Sequence, residues 1–182
     1  AFSPIEDLPK EHCITITGRF SSDQSHYGAL WFLRSVWPLI RRRDPDVKLY
    51  LVGRDPSSTM RHVASKDERV IVTVAVQDLR PFLAKAKVYV CPVRNGSGIR
   101  GKILEAMAMH LPVVSTSIGA EGIPVDQGSN AFIADAPEIM ADFTLMLLHD
   151  PDKAHSMGRR GRNAVETFFN WRTSMDLLEI GR

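Results

Sequence analysis

The sequence predicts an α/β fold: a Rossmann-like parallel sheet of about six strands with helices on both faces. Two observations predict it. Short apolar runs rich in β-branched residues alternate with segments of helical period from Cys13 onward. Those runs show no polar alternation, the mark of strands buried on both faces.

Residues 13–17 form a β-branched run that ends at Gly18, a strand signal. Residues 27–43 carry Leu30, Leu33, Val36, Trp37 and Ile40 at helical spacing. Arg41, Arg42 and Arg43 fill the last turn, where cations suit the helix dipole. A second strand covers 47–52 and stops at Gly53, followed by a weak helix at 58–65. A third strand at 69–74 and a short helix at 79–86 come next, then a fourth strand at 88–91 stopped by Pro92. A helix over 101–109, a strand over 112–116 and a short sixth strand over 131–134 follow. Residues 137–149, 151–169 and 171–180 read as the last helices. The loop 117–130, with Gly119, Gly122 and Gly128, is the one stretch that reads as mobile.

At 182 residues the chain has the size of one domain. Hydrophobic residues at 44% and charged residues at 24% exclude a disordered chain and a disulfide scaffold. A net charge of +2 carries no nucleic-acid footprint. No apolar run is long enough to span a membrane. Cys13 and Cys91 lie in apolar runs and read as buried thiols of a reducing, cytoplasmic compartment. The chain opens Ala-Phe-Ser-Pro, with no Met and no signal peptide, and so reads as a fragment of something longer.

In a doubly wound sheet, ligands sit outside the carboxyl ends of the strands. That singles out loops 18–26, 53–57, 74–78, 92–100 and 117–123. The informative one is Pro92-Val-Arg-Asn-Gly-Ser-Gly-Ile-Arg-Gly101, which leaves a strand and opens a helix. Its glycines at 96, 98 and 101 let backbone N–H groups face a ligand, and the helix adds its positive end. Arg100 and Lys102 supply charge. This is chemistry for a phosphate or diphosphate; a Gly-rich turn with no ligand is the plain alternative. The glycines also satisfy G-x-G-x-x-G, with Glu121 20 residues beyond Gly101. The dinucleotide reading is nevertheless set aside. That fingerprint belongs to the first strand-helix-strand unit, and Glu121 falls five residues past the strand that should carry it.

The segment Gly98-Ile-Arg-Gly-Lys-Ile-Leu-Glu-Ala-Met-Ala108, with Leu111-Pro-Val-Val-Ser-Thr116 and Gly119-Ala-Glu-Gly-Ile123, resembles the group 1 family of GT-B glycosyltransferases. The likeness is to their C-terminal, nucleotide-sugar-binding domain. Gly18-Arg19, Leu51-Val-Gly53, Val76-Gln-Asp-Leu79 and residues 88–92 agree in order, so the resemblance covers nearly the whole chain. It implies that residues 1–182 are one nucleotide-sugar-binding domain of a two-domain enzyme. Helices within 151–182 would return toward an N-terminal acceptor-binding domain. The implied activity is retaining sugar transfer from a nucleotide-diphosphate donor with no metal cofactor, the diphosphate charge falling to basic residues and helix N-termini.

The resemblance also implies roles. Glu105 matches the glutamate that hydrogen-bonds the donor ribose, and it lies one helical turn below the Gly loop. Gly98, Ile99 and Arg100 match the loop that meets the donor's sugar and phosphate. Arg19 matches the basic residue that pairs with the diphosphate, and Lys102 adds charge at the Gly loop. A solvated helix carboxylate and a surface arginine are the plain alternatives for Glu105 and Arg19. No residue is singled out as catalytic.

Several positions depart from the pattern. Ser97 stands where the family often has a first glutamate, eight residues before Glu105. Gln24 stands where many members have Lys. His110 replaces a Gly before Leu-Pro-Val and reads as a helix end, because His tolerates the left-handed region. The glycine expected near Val74 is absent. Trp31, Phe32 and Trp37 read as packing, Met107 and Met109 as core, and the remaining histidines have no metal-ligand spacing. Trp171 is expected to pack.

Two functions of different class follow: the donor-binding half of a glycosyltransferase, or a non-catalytic nucleotide-binding or interaction module on the same fold. The intact Gly loop and Glu105 favour the first; Ser97 and Gln24 favour the second. A nucleotide-sugar epimerase shares the fold, but its usual residues are not evident.

Overall fold

Strands β1 (Cys13–Arg19), β2 (Lys48–Arg54), β3 (Val70–Val72), β4 (Val88–Cys91), β5 (Val113–Ser115) and β6 (Phe132–Ile133) form one sheet in the order 3-2-1-4-5-6. Every neighbouring pair is parallel. The computed structural model describes residues 2–5 and 8–179, with side chains through Phe168. The expected packing of Trp171 and the helix end expected at Ile180 lie outside those described side chains and residues.

Alternate residues of each strand face opposite sides, and both sides are covered. Ile14, Ile16, Leu49, Leu51, Val88 and Val90 enter one core with Phe32, Ile40, Met140 and Leu148. Cys13, Tyr89, Cys91 and Val113 enter a second core with Leu83, Ile103, Met107 and Val165. Each fully buried Leu, Ile or Val contributes roughly 1.5–3 kcal/mol relative to exposure. Cys13 and Cys91 are buried and unpaired.

The helical stretch expected over 27–43 begins earlier. Helix α1 (Asp23–Trp31) starts after Ser22 with Asp23 in its first turn, a charge that suits a helix N-terminus. A π-helical turn (Phe32–Val36) joins it to α2 (Trp37–Arg43). Pro38 explains the wide turn: it lacks an N–H, and its ring crowds the carbonyl of Arg34. Trp37 is buried and donates its Nε1–H to Asp67 at 3.0 Å. Trp31 is half-buried beneath the Arg94 guanidinium, which lies 4.4 Å from its ring. Arg41 pairs with Asp67 and Arg43 with Asp142.

Helices α3 (Ser58–Ala64), α4 (Arg80–Lys85), α5 (Gly101–Ala108) and α6 (Pro137–His149) fall where expected to within a residue or two. One continuous helix, α7 (Pro151–Glu179), replaces the two expected over 151–180. Asn170 does not break it, because neither Gly nor Pro stands between Arg162 and Glu179. Gly158 and Gly161 let α7 press close; a Cβ on Gly158 would lie 2.0 Å from the His110 carbonyl oxygen. Arg162 donates to the Ala108 carbonyl at 2.7 Å and caps the end of α5. His110 has φ +58°, the left-handed helix end its position implies.

The loop 117–130 is tied at several points. Ser117 N–H donates to Asp135 and Gly119 N–H to Thr116. Asn130 accepts from Asp126 N–H and donates to the Pro124 carbonyl. Among the described residues, no helix is long and apolar enough to cross a membrane.

Candidate functional site

The strand order reverses direction between β1 and β4, and ligands of such sheets sit at the carboxyl ends there. A cleft of about 750 Å³ opens at that edge. Loops 18–26, 53–57 and 74–78 wall it on one side, and Lys102 and Glu105 of α5 on the other. Gly18 and Gly53 make the floor tight: a Cβ on Gly53 would lie 1.8 Å from the Gly18 carbonyl oxygen, and one on Gly18 would lie 2.8 Å from Ser25 Oγ.

Lys102 runs along this floor. Its Nζ donates to the Thr17 carbonyl at 3.3 Å and to Ser25 Oγ at 3.1 Å. Among the described residues it makes no ion pair, and Glu105 is the carboxylate that acts on it at longer range. Burial lowers its pKa, and Arg100 lowers it further. One turn on, burial lifts the Glu105 carboxyl above its ordinary range, and Lys102 partly offsets that. Arg19 stands exposed at the mouth, opposite Arg54 in the β1–β2 register. Two like charges placed side by side at strand ends repel, and a bound anion relieves the repulsion.

The Gly loop stands beside this cleft and not on its wall. Gly96 and Gly98 have φ +90° and +93°, which L side chains rarely adopt. Gln24 packs on Gly96, so the position of the missing lysine does reach the loop. The Gly98 N–H donates to Glu121 Oε2 at 3.0 Å. Arg100 is only 8% exposed. Its Nη1 donates to the Ser97 carbonyl at 2.7 Å, while Nε and Nη2 are buried with no partner. A guanidinium cannot shed its charge, and buried polar groups are normally paired. With no partner among the described residues, these two nitrogens carry three N–H donors that an anion could satisfy.

A family model described as "Glycosyl transferases group 1" matches residues 11–150. The chain belongs to that family. One relative, a GDP-mannose-dependent α-(1-6)-phosphatidylinositol monomannoside mannosyltransferase of Mycolicibacterium smegmatis, is 33% identical over 150 residues. The match takes in 75% of this chain and 39% of that protein. The chain thus spans about two fifths of the length of this curated relative. The C-terminal domain of a group 1 glycosyltransferase from Francisella tularensis superposes with a TM-score of 0.76 at 19% identity, covering 92% of this chain and 95% of that one. An Anabaena protein, HepE, in complex with UDP and glucose, superposes with a TM-score of 0.73 at 16% identity, over 94% and 49%. These two likenesses show the fold.

Of the positions that the group 1 pattern singles out, Arg19, Lys102 and Glu105 meet in one cleft. Gly98, Ile99 and Arg100 form the neighbouring loop, with Ile99 40% exposed. Three residues were missed. Ser25 holds Lys102, and no motif marks it beyond its place in loop 18–26. Arg54 follows Leu51-Val-Gly53, and its likeness to Gly18-Arg19 was the available signal. Glu121 was weighed only as part of a dinucleotide fingerprint, and its contact with Gly98 depends on how loop 117–130 folds. Among the described residues, no three His, Cys, Asp or Glu side chains group to hold a metal ion.

Proposed function

We propose that this domain binds a nucleotide-diphosphate sugar at the carboxyl edge of β1 and β4. Joined to an acceptor-binding N-terminal domain, it acts as a retaining GT-B glycosyltransferase. The observation that carries this reading is Arg100, whose Nε and Nη2 are buried without a partner among the described residues, close enough to Lys102 to lower its pKa. Arg19, Arg54 and Lys102 then share the diphosphate charge, and Arg suits bidentate phosphate contacts. The Glu105 carboxylate, with no hydrogen bond to a described residue, accepts from the ribose hydroxyls. The named relatives support a nucleotide-sugar donor, GDP-mannose in one and UDP with glucose in another. The reading places the protein in the cytoplasm, where such donors are made and thiols stay reduced.

Thermal shift of the 182-residue chain with UDP, GDP and ADP, each with and without its sugar, tests it. Stabilisation should survive EDTA and weaken as salt rises, because side-chain cations carry the charge. No shift with any nucleotide, or complete loss with EDTA, overturns it. Sugar transfer by the chain alone is not expected. Holding both reactants in line contributes up to roughly 7–11 kcal/mol, and the acceptor side lies in another domain.

The alternative of a non-catalytic module is favoured by Gln24, a neutral amide against Gly96 where many group 1 members have a cation. Gln24→Lys distinguishes the two. On an enzyme's site it should tighten diphosphate binding, and on a module that binds no donor it should change nothing.

A further inference from the structure

Four of the chain's six histidines meet far from the donor cleft. His12, His110, His149 and His155 line a cavity of about 520 Å³ with Lys10 and Lys87. His12, Lys87 and Pro112 come just before β1, β4 and β5, so the cavity lies at the amino edge of the sheet. A seven-residue strand separates it from Arg19, about 20 Å at the usual rise.

Every ionisable side chain on the wall is Lys or His. The Asp44 carboxylate, which two of these histidines contact, is buried. Asp44 Oδ2 accepts from His12 Nε2 at 2.7 Å and from His149 Nε2 at 2.9 Å. His12 Nδ1 faces Lys87 Nζ at 3.3 Å; an ammonium only donates, so that nitrogen accepts. Lys10 donates to the Ala86 carbonyl at 2.9 Å and keeps further N–H groups free. The rings of His110 and His155 make no hydrogen bond to a described residue. His155, Arg159 and Arg162 of α7 face His110 and Glu166 opposes them; burial and those cations lower its pKa. Asp150 Oδ1 accepts from Lys153 N–H at 2.9 Å. The rest of the wall is apolar, with Pro112, Leu147, Leu148 and Ala154.

We propose that this pocket is a second anion site, independent of the donor cleft, for a phosphomonoester. Lys10, Lys87, His110 and His155 hold the phosphoryl group, and the carbon skeleton lies on the leucines. Lys10, Lys87, His110 and His155 share a wall whose lining residues include no carboxylate, so a bound dianion would supply the counter-charge there. Its volume far exceeds a bare oxyanion and has room for the attached group. Protonation of the imidazoles should accompany binding.

The test uses the 182-residue chain. Sulfate keeps two charges throughout, so its affinity reports the protein's protons alone. Titration followed by histidine ring NMR should move the His110 and His155 signals saturably at about pH 6, with affinity at least fivefold weaker at about pH 8. Glycerol 3-phosphate should bind more tightly than inorganic phosphate. Lys87→Gln should weaken both at least fivefold, and Lys102→Ala should leave both unchanged. If Lys87→Gln fails to fold, His155→Gln, exposed on α7, must weaken binding without lowering Tm. Absence of any shift, affinity independent of pH, or equal loss in Lys102→Ala overturns the proposal. Vesicles of phosphatidylcholine with some phosphatidate separate the sources. Sedimentation of wild type but not of His155→Gln assigns a lipid head group, and no sedimentation assigns a soluble ester.

Discussion

The Glu121 carboxylate occupies the Gly98 N–H, 3.0 Å away, on the loop expected to receive the donor's phosphate. An internal anion thus sits on a backbone donor that the proposed ligand would use. The two anions compete, because one N–H cannot serve both fully and like charges repel. Glu121→Gln should therefore tighten UDP or GDP binding several-fold, a fraction of the roughly 1.5–3 kcal/mol typical of a charged hydrogen bond. Calorimetry on wild type and variant measures it. Weaker binding in the variant would show that Glu121 contacts the ligand instead.

Glu105 separates function from stability. Burial raises its pKa in the folded chain. The folded state thus holds this proton more tightly than the unfolded state, so the ionised carboxylate lowers stability above the ordinary carboxyl pKa. That loss is relieved as pH falls through the raised value. Glu105→Gln should leave Tm at neutral pH unchanged or raised. The same change should weaken nucleoside diphosphate binding about tenfold or more if the carboxylate accepts ribose hydroxyls. A much lower Tm would make Glu105 structural, and equal affinity would remove it from the site.

Gly53 tests the floor of the cleft. A Cβ there would lie 1.8 Å from the Gly18 carbonyl oxygen, which is backbone of the paired strand and cannot swing aside. Gly53→Ala should destabilise the domain at the upper end of the usual overpacking cost, about 3 kcal/mol. Urea unfolding measures it. Gly98→Ala meets no atom within 4 Å, so its effect should come from the positive φ alone and be smaller.

The fold was legible because its signals are local. Apolar runs such as Val88 to Cys91, and stops such as Gly18 and Pro92, fix the strands without reference to partners. The π turn ahead of Pro38 and the unbroken α7 were not legible, since each depends on how one turn meets its neighbours. Of the cleft wall, Lys102 and Glu105 were legible because they follow a recognisable loop on one helix. Ser25 lies on α1, Arg54 at the end of β2 and Glu121 in the loop 117–130, and only the folded sheet brings them to this edge. The histidine pocket draws on four separate stretches of chain, so no spacing along the chain announces it.

Arg100 gives the sharpest test of the donor site. It is buried, keeps its charge, and satisfies only one of its three nitrogens, through Ser97. A buried charge lacking partners lowers the stability of the empty domain, and an apolar side chain of similar length removes that deficit. Arg100→Met should therefore hold or raise the Tm of the ligand-free chain. Bound nucleoside diphosphate supplies the missing acceptors, so the variant should lose most of the Tm rise that UDP or GDP gives the wild type. A nucleoside without phosphate should bind both proteins alike, because Arg100 would meet only the anion. Scanning calorimetry across a series of ligand concentrations reads all of these together. If Arg100→Met unfolds well below the wild type, the guanidinium is a structural brace on Ser97; if its nucleotide-induced shift is intact, the absent anion is not the donor's diphosphate.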